Sequence, residues 1–391
     1  MFRIQTLNKI SPAGLSLLPY DKYESASEIA HPDAILVRSF KMHDMELPEN
    51  LQAIARAGAG VNNIPVEHCT KKGIVVFNTP GANANAVKEL VLASLFLSSR
   101  NIVGGINWAK SLSGKGEEVS KLIEKGKSNF VGPEILGKTI GIIGLGAIGR
   151  LVANAAESLG MKVIGFDPYI SVDSAWGLSQ YVQKAKGFEH LLSKSDYVSL
   201  HVPLTESTEG FIDKTKFQMM KDGVRILNFA RGGLFNENDL FAALDSGKVS
   251  CLVTDFPDDK LIQHDKIIPI PHLGASTPES ESNCAVMAVN QIKDFLENGN
   301  IRNSVNFPEA EMPRNAGHRL CIVNENIPKM VGQITTVLAN ENINIEDLLN
   351  RHHENIAYNI IDLNQEPKSN QIEKIKAIKG VIRVRLIPEN S

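Results

Sequence analysis

The 391-residue sequence is sparing in the features that would mark it as secreted, membrane-bound or bound to nucleic acid. Its four cysteines, Cys69, Cys251, Cys284 and Cys321, stand far apart and show no metal-ligand spacing. A disulfide framework is not expected in a chain of this size without a secretory signal. The N-terminus, Met1-Phe2-Arg3-Ile4-Gln5, lacks the apolar stretch of a signal peptide. No apolar run reaches the roughly 18 residues that cross a bilayer. A cytoplasmic setting with no metal and no membrane partner is therefore expected. The formal net charge is only −3, and the basic residues at 110–127 are interrupted by Glu117, Glu118 and Glu124. Nucleic-acid binding needs a concentrated basic surface, so that partner is excluded as well.

What the sequence does contain is ordinary globular material, 43% apolar and 22% charged. Its length calls for two or three domains. Short apolar runs at 34–38 and 74–78 read as strands, and a helix at 67–72 ends on Gly73. Residues 84–110 read as one long helix joining two domains. Further strands fit 138–143, 162–167, 196–202, 224–229, 250–255 and 266–271. Repeated strand–helix–strand units with nearly all-apolar strands predict a parallel sheet covered on both faces. A second long helix covers 276–298, and 306–317, rich in Pro, Asn and Glu, reads as a linker. The tail then has the order β-α-β-β-α-β, the ferredoxin-like motif, with strands at 319–324, 345–351, 356–363 and 381–386 and helices at 328–341 and 370–378.

One turn carries specific chemistry. Gly144-Leu145-Gly146-Ala147-Ile148-Gly149 fits G-x-G-x-x-G. Glycine spacings arise by chance, but this one follows a strand and opens an apolar helix. Asp167 follows at the end of the next strand, eighteen residues past Gly149 and near the roughly 20 expected for the acid that binds a ribose hydroxyl. The glycines allow a tight turn and close approach of backbone to a pyrophosphate, which sits on the helix N-terminus. Pro168, Tyr169 and Ile170 follow, with no Arg for a 2′-phosphate. NAD is therefore expected rather than NADP.

Two residues stand where ligands of open α/β sheets bind, just past strand ends. Arg231, in Asn228-Phe229-Ala230-Arg231-Gly232-Gly233, offers a planar fork suited to a carboxylate. His272, between Pro271 and Leu273-Gly274, can shuttle a proton near neutrality. Taken alone, each is better read as a surface Arg and a structural His. In a dinucleotide-binding fold the pair predicts hydride transfer to or from a 2-hydroxy acid.

The motifs together resemble the D-specific 2-hydroxyacid dehydrogenases, most closely the branch that oxidises a phosphorylated glycerate and carries a C-terminal ACT domain. The resemblance rests on Arg56-Ala57-Gly58-Ala59-Gly60-Val61-Asn62-Asn63-Ile64, Asn78-Thr79-Pro80-Gly81-Ala82-Asn83, the glycine turn, His201-Val202-Pro203-Leu204-Thr205, residues 228–233 and Pro271-His272-Leu273-Gly274-Ala275-Ser276-Thr277. It implies a Rossmann cofactor domain (97–275) inserted in a flavodoxin-like substrate domain (1–96 and 276–305). A linker (306–317) and an ACT-like domain (318–391) would follow, with the active site in the cleft. It implies Arg231 as carboxylate and keto-oxygen ligand and His272 as acid/base. Gly58, Ala59 and Gly60 would meet the carboxylate by their backbone, and Arg56 the phosphate. Gly144, Gly146, Ala147, Ile148, Gly149, Asp167, His201, Pro203, Ala230, Asp255 and Gly274 would hold NAD. The family's Glu that orients the His is missing from Thr254-Asp255-Phe256-Pro257-Asp258-Asp259-Lys260. Asp259 is the expected substitute, with Asp258 next.

In the tail, the resemblance implies an L-serine effector site at Asn324, Asn326 and Asn344, whose amides suit an amino acid. Asn324 stands where a His is common, and Lys329 where a Gly is. A domain used only for oligomerisation is the alternative. A homodimer or homotetramer is implied by the resemblance alone. Two other functions compete with oxidation of a phosphorylated substrate: a dehydrogenase of glycerate/hydroxypyruvate or D-lactate on the same scaffold, and an NAD-sensing protein that has lost its chemistry.

Overall fold

The computed structural model describes residues 1–314 and 317–387. It begins with five parallel strands, β1 (Phe2–Leu7), β2 (Tyr23–Ala26), β3 (Ala34–Val37), β4 (Ala53–Arg56) and β5 (Val75–Phe77). They lie in the order β2-β1-β3-β4-β5, which is the flavodoxin-like arrangement. β3 and β5 are buried at every position, which is why their sequences are unbroken apolar runs. β1, β2 and β4 carry no such signal. β1 mixes Arg3, Gln5 and Thr6 with its apolar residues, β2 is an edge strand exposed at three of four positions, and β4 is half alanine, a weak strand former.

The helix expected over 84–110 is two helices. Ala84–Ser99 ends before Asn101, whose φ of 39° is left-handed, and Ile102–Ser111 leaves at a 65° bend. Asn is one of the few residues that visits this conformation readily. The first helix does not act as a free connector: Val87, Val91 and Leu95 pack into the core of the cofactor sheet. One compact unit is accordingly Ala84–Thr277, and the other joins Met1–Asn83 to Pro278–Ser391. Among the described residues no single helix is long and apolar enough to cross a membrane.

The second sheet has seven parallel strands: β6 (Thr139–Ile143), β7 (Lys162–Phe166), β8 (Gln183–Lys184), β9 (Tyr197–Leu200), β10 (Val224–Asn228), β11 (Val249–Thr254) and β12 (Ile267–Pro269). Their order, β12-β11-β10-β9-β6-β7-β8, is that of a doubly wound Rossmann sheet. The order reverses between β6 and β9, and such a switch point opens a crevice at the carboxyl ends of the strands.

After this sheet the chain returns through helix Pro278–Asn298, whose buried face (Ala285, Ala288, Val289, Ile292, Phe295) packs on the first sheet. The tail strands β13 (His318–Glu325), β14 (Ile345–His353), β15 (Ile356–Leu363) and β16 (Val381–Ile387) pair antiparallel in the order β14-β15-β13-β16. Helices Met330–Asn340 and Ser369–Lys376 complete the β-α-β-β-α-β unit. Leu320, Ile322, Ile361 and Leu363 meet Ile334, Leu338 and Ile375 of these helices on one face. On the other face Cys321, Val323, Tyr358 and Ile360 share a core with Phe295, Leu296 and Phe307. β15 is thus buried at all eight positions.

The stretch read as a linker, 306–317, is packed where it is described; its residues 315–316 lie outside the described residues. Asn306 is buried, accepts from the Val76 amide at 2.8 Å and donates to Thr70 and Ile74. Arg319, wholly buried, then fastens the stretch to the tail. Its guanidinium donates to both oxygens of buried Asp362 (2.6 and 2.8 Å) and to the carbonyls of Asn298, Met312 and Pro313, each at 2.9 Å. All five N–H donors are used, which is how a buried guanidinium recovers its lost hydration.

Removing one partner strands the other charge in the core. Asp362→Asn or Arg319→Met is expected to lower stability by about 3–5 kcal/mol, and the double Arg319→Met/Asp362→Leu by clearly less. Urea unfolding of the three variants measures this. A single variant within about 1 kcal/mol of wild type would show that the pair does not hold the tail.

Candidate cofactor and active site

The glycine turn joins β6 to helix Ala147–Ser158, and its three glycines answer three different demands. Gly144 has φ +89°, and a Cβ there would lie 2.5 Å from the carbonyl oxygen of His201. A Cβ on Gly149 would come within 1.9 Å of the Gly144 carbonyl oxygen, so only glycine lets the helix pack against the turn. Gly146 is the opposite case: nothing lies within 4 Å of a Cβ placed there. It is the helix N-cap and supplies no side-chain cap. An open space in front of uncapped amides at a helix start suits a pyrophosphate.

Asp167 lies just past β7 and is aimed back at the turn. One carboxylate oxygen accepts from the Leu145 amide at 2.8 Å, the other from Tyr169 at 2.9 Å. Each oxygen keeps a second acceptor site, as a ribose diol requires. His201 follows β9, and its amide donates to the Ile143 carbonyl at 2.7 Å. Nε2 shares a 2.9 Å hydrogen bond with buried Ser199, while Nδ1 is buried with no partner. Burial pushes the His201 pKa down to about 4, so the ring is neutral near pH 7. These features fit a dinucleotide: an open glycine, a turn-facing carboxylate and a buried nitrogen awaiting a partner.

At the carboxyl end of β10, buried Asn228 shapes the next turn. Its Nδ2 donates to the Arg231 carbonyl at 2.8 Å, and its Oδ1 accepts from the Ala230 amide at 3.2 Å. Arg231 itself is exposed, with Nη1 on the Ala230 carbonyl at 2.7 Å. His272, also exposed, follows β12. Its ring packs on Phe256, centroids 4.7 Å apart, and Gly232 of the Arg231 turn approaches the same phenylalanine. Phe256 thus touches the His272 ring and lies near the backbone of the Arg231 turn. Sequence reasoning passed it over because one Phe in a loop carries no pattern.

The expected carboxylate behind His272 is elsewhere. Asp259 opens the short helix Asp259–Ile262, and its Oδ2 accepts from Gln263 at 3.2 Å. Asp258 caps that helix through the amides of Lys260 and Leu261. Among the described residues neither bonds to His272. Asp255, expected only on the cofactor side, is better placed. It is buried, its Oδ2 accepts from Gly274 at 3.3 Å, and its Oδ1 is buried without a partner. Burial raises its pKa, while the charges of His272 and Arg231 pull the other way. A Cβ on Gly274 would lie 3.1 Å from that Oδ2, so the approach depends on glycine. Pro203 lies on an exposed turn, its carbonyl accepting from Thr208 at 2.7 Å.

In the other unit, β4 delivers Arg56 and the Gly58-Ala59-Gly60 loop. Arg56 Nε donates to the Arg38 carbonyl at 3.1 Å. Its guanidinium lies over Gly58, where a Cβ would be 2.4 Å from Nη1. Asn78 and the Thr79 amide hold the carbonyls of Ala59 (2.6 Å) and Gly58 (3.1 Å). In the tail, the three expected effector residues are not alike. Asn324 is buried and committed at both ends, donating to the Glu325 carbonyl and accepting from Asn359, each at 2.7 Å. It belongs to an amide ladder that Asn350 continues, so it offers nothing to a ligand. Asn326 (bonded to the Glu354 carbonyl at 3.1 Å) and Asn344 are exposed. Lys329 holds φ +74°, the left-handed conformation a glycine takes without cost.

Residues 96–274 match the family described as D-isomer specific 2-hydroxyacid dehydrogenase, NAD binding domain. Over these residues the chain belongs to this family. It is 35% identical over 301 residues to a protein of Archaeoglobus fulgidus named D-3-phosphoglycerate dehydrogenase, covering 74% of this chain and 54% of that relative. A Homo sapiens protein of the same name is 36% identical over 296 residues, 73% of this chain and 52% of that one. The chain spans about half the length of the curated relatives it matches. Among solved structures, the NAD+-bound 3-phosphoglycerate dehydrogenase of Entamoeba histolytica is similar at TM-score 0.61 and 27% identity, covering 78% of this chain and 98% of that one. The glycine turn, residues 144–149, lies inside the matched NAD-binding region.

Two glycines separate folding from cofactor binding. Gly146→Ala is expected to leave the melting temperature unchanged and weaken NAD binding, because its Cβ enters only the open space. Gly149→Ala is expected to lower the melting temperature, because its Cβ meets backbone. Calorimetry with and without NAD tests both, and equal effects at the two positions would refute the distinction. His201 gives a pH prediction. Its folded pKa of about 4 lies below the unfolded value near 6.5, so the unfolded chain binds the extra proton first. Stability should therefore fall as pH drops from about 6.5 to about 4, and His201→Asn should flatten that part of the curve.

Proposed function

We propose that the chain is an NAD-dependent D-3-phosphoglycerate dehydrogenase, oxidising D-3-phosphoglycerate to 3-phosphohydroxypyruvate. The observation that carries this reading is the group Arg231, Asp255, Phe256 and His272 beyond the carboxyl ends of β10–β12, in a chain about a third identical to proteins of that name. NAD, which the glycine turn, Asp167 and His201 would hold, would supply the hydride acceptor for the substrate's C2. The chain's residues supply the rest. His272 takes the C2 hydroxyl proton on a ring nitrogen, and the ring is steered by Phe256 against its face. Arg231 grips the carboxylate and polarises the forming keto oxygen.

Asp255 is the positioning residue in this reading, in place of the absent Glu. Its carboxylate, ionised and desolvated, favours the imidazolium that forms as the proton arrives. Arg56 is assigned to the substrate phosphate, and the amides of the Gly58 loop to its carboxylate, on the chemistry of those groups. The tail is read as an effector-binding and assembly module of a cytoplasmic homo-oligomer, with Asn326 and Asn344 as the amides open to serine.

Assay with NAD against phosphorylated and unphosphorylated D-2-hydroxy acids tests the substrate. Phosphoglycerate should be preferred, and Arg56→Gln should raise its KM while leaving that for D-glycerate nearly unchanged. Arg231→Gln and His272→Gln should each cost about 10²–10⁴-fold in kcat/KM. Asp255→Asn removes an anion beside His272 and should move the acid limb of the oxidation profile to lower pH. Asp259→Ala should leave that limb in place. The opposite pattern would return the role to Asp259, and equal activity on D-lactate or D-glycerate would give the site to another 2-hydroxy acid.

A further inference from the structure

Within the unit that holds both termini, one cluster of cations serves no purpose described above. Arg383 and Arg385 stand two residues apart on the face of β16 that turns away from the tail's own helices, as shown by Val384 and Leu386 packing the other way. Arg383 donates to the carbonyls of Leu51 and of Glu49, the latter at 3.0 Å. Arg385 donates to Gln52 Oε1 (2.9 Å) and the Phe295 carbonyl (2.6 Å), with its guanidinium 4.2 Å above the Phe295 ring. Among the described residues neither forms an ion pair with a carboxylate. Arg319, on the neighbouring strand, has Asp362. The difference matters because two adjacent, partly buried guanidiniums repel, and carbonyl dipoles offset that only in part. The Arg383 pKa is accordingly pulled down by burial and by the charge of Arg385.

Beside the pair lies a cavity of about 520 Å³, lined by Glu49, Asn50, Gln52, Lys376 and the strand carrying the two arginines. It brings two forked cations and the Lys376 ammonium, itself paired with Glu373, against the carboxylate of Glu49; the Asn50 and Gln52 amides are already bonded to His31, Pro32 and Asp33. We propose that this seam between the tail sheet and β4 binds a small phosphate-bearing dianion, gripped by Arg383 and Arg385. Two guanidiniums match the charge and the several oxygens of a phosphate, whereas a zwitterionic amino acid would bring an ammonium group into a cationic site. The site is distinct from the effector asparagines. Leu51 and Gln52, which the two arginines hold, immediately precede β4, the strand that ends in Arg56. An anion that draws on these guanidiniums therefore acts on the segment carrying the Arg56 loop.

Inorganic phosphate is the probe, titrated into the full-length protein by calorimetry at constant ionic strength, with chloride and L-serine as controls. The expected result is a saturable site that chloride and serine do not fill. Arg383→Gln and Arg385→Gln should each weaken it about tenfold or more, and Arg56→Gln should leave it unchanged. Loss of phosphate binding in Arg56→Gln with retention in the two seam variants would assign the phosphate to the substrate unit's own loop and overturn the proposal. So would the absence of saturable binding at millimolar phosphate. Should the arginine variants fail to fold, Glu49→Gln is expected to tighten phosphate and Lys376→Gln to weaken it. Affinity unmoved by both would equally overturn it.

Discussion

The contact on which the cofactor unit depends is the one between the Cα of Gly149 and the carbonyl of Gly144. Any side chain at Gly149 would occupy the space of that oxygen. The same carbonyl belongs to a residue pressed against His201 at the end of β9. Three elements, β6, β9 and the helix after the turn, are therefore locked together at the point where strand order reverses. Their tight fit leaves the helix N-terminus open at Gly146 and sets the Asp167 carboxylate against the turn at Leu145. Close packing and the vacant side of Gly146 are two consequences of one backbone geometry.

This contact was legible in the sequence because its requirement is strict: only glycine fits, and the spacing repeats in any chain that builds the turn. The places of Arg231 and His272 past strand ends were legible for a related reason, since each follows a strand within a glycine-containing segment. The carboxylate near His272 was harder. Counting along the loop pointed to Asp259, but Asp258 caps the short helix that Asp259 opens, and the Asp259 carboxylate turns to Gln263 one turn on. Asp255 sits at the strand end, where burial and the close approach of Gly274 set its carboxylate among charged neighbours. One-dimensional spacing does not reveal which of three nearby aspartates will be desolvated.

The same limit explains the strands and the linker. β3 and β5 are apolar because both of their faces are covered, and they read as strands at once. β4 escapes notice because alanines flank its one isoleucine, although it carries Arg56 to its place. Residues 306–314 look like solvated connection by composition, yet Asn306 completes the edge beside β5, and Met312 and Pro313 give their carbonyls to Arg319. A polar residue whose partner lies more than two hundred positions away cannot announce that partner. Asn324 is the same lesson reversed: its amide suits a ligand on paper, and the sheet has already used it.

How the tail is held bears on what it can do. Arg319 and Asp362 cancel each other's charge where no water reaches, and the guanidinium reaches three carbonyls besides. Tyr358 adds a 2.7 Å bond to the Gly299 carbonyl from the same buried face. The tail sheet is therefore continuous with the core beneath helix Pro278–Asn298 and does not hang from a flexible tether. In a tethered module, ligand binding can change only the module's position. Here a change at β16 is felt at Leu51 and Gln52 through direct hydrogen bonds, one residue from β4. Charge balance then decides which seam is static and which can respond. The Arg319 seam is neutral and complete, so it has no use for a ligand, while at the other seam Arg383 and Arg385 rest on carbonyl and amide oxygens and, among the described residues, on no carboxylate.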